Sequence, residues 1–143
     1  MHTKEIIRLG ALVLYLVISS TSFADDTRQL VKLPEMMQHH MLANMRDHLL
    51  SLNEILDNMA KGNLDKAAKI AEMRLGMSSL DTHGASHMAP YMPKGMQDAG
   101  TAMHRAASRF ALKAGEGEAL PAYKMLGEIT VNCVACHTAY RIR

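Results

Sequence analysis

The sequence predicts an all-α protein, an antiparallel four-helix bundle, on three observations. Apolar residues recur at steps of three and four along four stretches of the chain. Glycine- or proline-bearing connections separate those stretches. No stretch alternates polar and apolar residues as a half-buried strand would.

The chain has 143 residues. Residues 1–24 read as an export signal: Lys4 and Arg8 precede the apolar run Leu9 to Ile18, and Ser22-Phe23-Ala24 offers small residues at −3 and −1 of a cut before Asp25. The apolar run is short for a membrane span. Residues 25–143 are then one bundle domain, expected in the periplasm, with no later stretch apolar and long enough to cross a bilayer. Their formal charge of +1 (14 Lys+Arg against 13 Asp+Glu once the first 24 residues are removed) argues against a nucleic-acid partner and against strong attraction to a membrane surface. Aromatics are 4% of the chain and Trp is absent, whereas Met reaches 13. A large planar cofactor would supply core surface that the side chains lack.

The first helix is predicted from about Pro34, a first-turn proline, to Lys61, with Gly62-Asn63 as the stop. Its apolar stripe is Met37, Met41, Met45, Leu49, Leu52, Leu56 and Met59, which leaves Asp47 and Glu54 facing solvent. The second is predicted from Leu64 to Leu80, with Asn63 as N-cap, Asp65 in the first turn and Ala67, Ile70, Ala71, Leu75 and Met77 inside. Gly84, Pro90 and Pro93 break the chain between Asp81 and Lys94. The third helix runs from Lys94 to Ala114 on Met96, Ala99, Gly100, Met103, Ala107, Phe110 and Ala114, and ends at Gly115 and Gly117. The fourth runs from Pro121 to Tyr140.

That last helix carries Cys133-Val134-Ala135-Cys136-His137. C-x-x-C-H is what covalent haem attachment needs. Each thiol adds to a vinyl group to form a thioether, and the imidazole ligates the iron. On a helix the spacings i,i+3 and i,i+4 place all three groups on one face. A redox dithiol would be expected at the start of a helix in a βαβ unit, and a zinc knuckle would need further ligands where no other Cys exists. One covalently bound haem c is the expected cofactor, and an export signal agrees with it.

Together, the signal, the four helices and the C-terminal position of C-x-x-C-H resemble the class II c-type cytochromes, which include the cytochromes c′. The run Thr138-Ala139-Tyr140-Arg141 looks like that family's ending after the motif, and the resemblance covers essentially the whole mature chain. It implies Cys133 and Cys136 as thioether anchors, His137 as proximal iron ligand, Arg141 as a basic residue near the proximal haem face, and Tyr140 packing at the haem edge. Dimers are common in the family.

The resemblance takes the sixth iron position from the first helix. A Met there makes an electron carrier; a non-ligating apolar residue leaves iron five-coordinate, open to nitric oxide or carbon monoxide. Met45 lies closest to the expected depth, and Met41 is one turn away. Thioether sulfur suits haem iron and raises its potential. A Met stripe is otherwise ordinary core filling. Many family members carry Arg or Lys where Met41 stands. His39, His40 and His48 offer imidazole on the same helix.

His83, His87, Met88, Met92 and Met96, followed by Met103-His104, form a further cluster of copper-compatible donors in the broken segment. The leading expectation is a non-enzymatic haem and iron protein that transfers single electrons between redox partner proteins. A five-coordinate gas-binding haem protein is the alternative, and periplasmic copper binding the third reading.

Overall fold

The computed structural model describes residues 25–143; the export-signal reading of residues 1–24 lies outside them. The described chain is mostly helical, with α1 Glu35–Ala60, α2 Leu64–Arg74, the single-turn α3 Ala85–Met88, α4 Lys94–Gly115 and α5 Ala119–Ala139. None of these helices is long and apolar enough to cross a membrane.

Local chemistry sets the helix limits. Pro34 precedes α1, and its carbonyl accepts the Gln38 amide at 2.9 Å. Gly62 and Gly117, both at positive φ, close α1 and α4 in the same way. Gly62 N and Asn63 N donate to Met59 and Asn58 carbonyls, and Gly117 N and Glu118 N donate to Ala114 and Lys113 carbonyls. A residue with Cβ would be strained in that conformation.

Helix α2 stops at Arg74, six residues before the expected end at Leu80. Leu75 and Gly76 leave helical geometry, and a 3-10 turn follows at Met77–Ser79. The Glu72 carboxylate accepts from Ser78 N and Ser78 Oγ, which anchors the new turn and leaves Met77 at the surface.

The expected stripe of α1 is also displaced. Met41 is buried, but Leu49 is 70% exposed and Leu56 44%. The buried line instead takes in Asn44, Ser51, Ile55 and Asn58. Burying these polar side chains is tolerable because Ser51 Oγ and Asn58 Nδ2 donate to the carbonyls of Asp47 and Glu54 one turn back. Asp47 and Glu54 are not simply solvated either: both accept hydrogen bonds from Arg74.

Helix α4 packs against α5 and α2, and α2 packs against α1. Their shared core centres on Phe110, with Ile55, Leu75, Leu126, Ile129 and a set of buried alanines that lets the helices approach closely. A second cluster, of Val31, Met41, Met88 and Met96, is joined by Met37, Met45, Met92, Cys136, Tyr140 and Ile142. Methionine fills this irregular space where aromatics are scarce.

Contrary to the absence of strand pattern, the described termini form a two-stranded parallel pair, β1 Gln29–Leu30 with β2 Tyr140–Arg141. Strands of two residues are too short to show alternation. Val31 N extends the ladder to Arg141 O at 2.7 Å, so Tyr140 belongs to β2 and not to the end of α5.

Candidate functional site

The last turns of α5 carry Cys133, Cys136 and His137 into one open cavity of about 670 Å3, lined by α1, Leu75, the segment Leu80 to Met92, α4 and α5. Its wall is chiefly apolar. Met41 and Met45 contribute from α1, Met88 and Met92 from the broken segment, and Met96 and Met103 from α4. A cavity of this size falls in the range of small-molecule and cofactor sites.

Both cysteines are half-buried and unpaired. Burial pushes both thiols above their ordinary pKa, with Cys133 adding to the effect on Cys136. They are therefore held as neutral S–H groups beside an apolar space. His137 is exposed on its outer side while lining the same cavity. The donor set fits a haem: two thiols and an imidazole on one helical face, at the edge of an apolar cleft, with thioether sulfur on a facing helix.

Of the two sulfur candidates, Met41 is 6% exposed and packed within the methionine-rich cluster. Met45 is only partly buried and lines the cavity one turn on. His48, a further turn along, also lines it, whereas His39 and His40 do not. His40 Nε2 donates to His83 O at 3.0 Å.

Arg141 is not in the cavity wall. Its main chain pairs with β1, and its Nε is buried without a hydrogen bond, 3.5 Å from Asp26 Oδ2. Asp26 is held at a pKa of about 2, first by its hydrogen bond from Arg28. Tyr140 packs on the methionine-rich cluster, and its hydroxyl lies so close to Gly95 that a Cβ there would collide with it.

The donors of the broken segment separate. His83, Met88, Met92, Met96 and His104 line the cavity, but His87 is exposed and outside it.

In its place the fold assembles a set not legible from spacing: His48 of α1, His83 of the turn after Ser79, and His104 of α4. Their ring centroids are 4.7 Å (48–83), 5.4 Å (83–104) and 5.9 Å (48–104) apart. Burial, then the neighbouring His83 and His104, lowers the His48 pKa to about 4, and Asp47 opposes this. Burial is also the largest cause of lowered values at His83 and His104. All three are neutral near pH 7. Residue order offered His83 and His104 within the copper-compatible cluster and His48 one turn beyond Met45, but nothing that joined the three.

No protein-family model, curated protein or solved structure matches this chain.

Proposed function

We propose that this chain is an exported monohaem c-type cytochrome of the class II kind, with α1, α2, α4 and α5 as an antiparallel four-helix bundle around the haem. The observation that carries the reading is the presence of Cys133, Cys136 and His137 on the wall of one apolar cavity, with Met45 and Met41 of α1 in the same wall. Haem bound there supplies reversible one-electron iron chemistry. The chain's own residues do the rest. Cys133 and Cys136 anchor the ring through thioethers, His137 holds the iron from α5, and Met45 is the leading sulfur ligand from α1, with Met41 the alternative. Apolar walls limit water, which together with a thioether ligand favours the reduced state. The role requires no substrate chemistry, only a periplasmic encounter with redox partner proteins; a homodimer is compatible with it.

Optical spectra of the purified holoprotein, ferric and ferrous, with and without carbon monoxide, test this. A low-spin spectrum with a Met–iron charge-transfer band that carbon monoxide leaves in place is the expected result. A high-spin spectrum that shifts with the gas would replace electron transfer with gas binding at a five-coordinate iron. Absence of covalent haem from the exported protein would remove the reading altogether.

A further inference from the structure

Three imidazoles meeting in a cavity wall is more than a haem cytochrome requires, and their hydrogen bonding is incomplete. His48 Nε2 reaches only His83 Nδ1, at 3.5 Å, and Ser79 Oγ stands 3.4 Å from the Nδ1 atoms of both His83 and His104. Ser79 spends its own proton on Gly76 O, at 2.7 Å. The one short bond is from His104 Nδ1 to Leu75 O, 2.7 Å. A carbonyl can only accept, so His104 carries its proton on Nδ1 and keeps a lone pair on Nε2. Buried polar groups normally find better partners than contacts of 3.4 to 3.5 Å.

We propose that His48, His83 and His104, in the wall of the same cavity as Cys133, Cys136 and His137, form a second metal site that takes one late first-row transition-metal ion, Zn2+ or Cu+, through three imidazole nitrogens. Imidazole suits these ions, and ligation requires it neutral. Tetrahedral zinc with bonds of about 2.0–2.1 Å sets its nitrogens about 3.3–3.4 Å apart; His48 Nε2 and His83 Nδ1 are 3.5 Å apart. A hydrogen bond from the far ring nitrogen to a main-chain carbonyl, as His104 makes, is the usual outer support of a metal-bound histidine.

Among the described residues no group of three or more His, Cys, Asp or Glu side chains is placed to hold a metal ion as it stands. Closing the set takes rotation of the His48 and His83 rings, whose long contacts are weak. The backbone beneath them is fixed: His83 O accepts from both His40 Nε2 and Asn44 Nδ2, each at 3.0 Å, which binds the turn to α1. A metal here would fasten α1 to α4, helices that barely touch each other.

The site does not depend on the haem reading, and zinc tests it without redox chemistry. Tag-free holoprotein is titrated with Zn2+ by calorimetry, with the haem spectrum recorded alongside. The expected result is one equivalent bound, a raised thermal midpoint and an unchanged haem spectrum. His83→Ala and His48→Gln should each weaken binding at least about tenfold, whereas the exposed His87→Ala leaves it unchanged. His48→Gln keeps the test open if His83→Ala does not fold, as judged by circular dichroism. No stoichiometric binding, binding indifferent to both variants, or binding lost in His87→Ala would each overturn the proposal. Absence of any haem signature, before zinc is added, from an otherwise zinc-binding protein would count against the cytochrome reading alone.

Discussion

Arg28 donates from Nη1 to the main-chain oxygen of His137, 3.3 Å away, although 109 residues separate them in sequence. The contact ties the start of the described chain to the last turn of α5, at the final residue of the motif. Around it lie the Arg28–Asp26 ion pair, the β1–β2 ladder and the bond from Gln38 Nε2 to Ile142 O at 2.5 Å. A cation at a helix C-terminus also complements the partial negative charge there.

Replacing Arg28 by Ala should loosen this strap locally. Its side chain is substantially exposed, so the urea midpoint should barely move. Amide exchange at Val31, whose N–H bonds Arg141 O, should accelerate several-fold. Unchanged exchange there would show that the ladder holds without Arg28.

Met45 and Met41 should separate cleanly. If the chain is the proposed cytochrome, Met45→Ala should turn a low-spin iron high-spin at modest cost in stability. Met41→Ala should keep the low-spin spectrum but destabilise the fold by about 2–5 kcal/mol, because a buried side chain leaves a cavity. The reverse pattern in spectra and urea melts would make Met41 the ligand.

Stability should fall on acidification. The His48 imidazole is lowered from 6.5 to about 4, and His83 and His104 move in the same direction. Between those limits the folded chain binds fewer protons than the unfolded one. The contribution is therefore present above the unfolded value of 6.5 and is lost as the pH falls towards 4. For His48 alone a loss on the order of 3 kcal/mol follows from the size of the shift, since one unit is about 1.4 kcal/mol. Urea midpoints across that window in wild type and His48→Gln check this; the variant should show a flatter profile.

Arg74 bridges Asp47 and Glu54 of α1 from the last turn of α2. Asp47 is held below the usual carboxylate range chiefly by its hydrogen bond from Arg74. The groups are partly exposed, so Arg74→Ala should cost on the order of 1 kcal/mol. The loss should shrink in high salt, as paired denaturation curves would show.

The stops at Gly62 and Gly117 and the one-face arrangement of Cys133, Cys136 and His137 follow from local rules of spacing and capping, so they could be read from residue order, whereas the single-turn α3 lies in the segment read as a break. The end of α2 could not, because it rests on Glu72 reaching forward to Ser78. The roles of Asp47 and Glu54 rest on a cation 27 and 20 residues away.

Periodicity says which residues share a helical face but not which neighbour that face meets. Residue order therefore carried the motif, the methionine stripe and the all-α class. Three-dimensional packing turned α1 so that Leu49 lies at the surface and Asn44, Ser51 and Asn58 lie inside. It also brought His48, His83 and His104 into one wall. Contacts between distant segments depend on how helices seat against each other, and no short-range pattern encodes that seating.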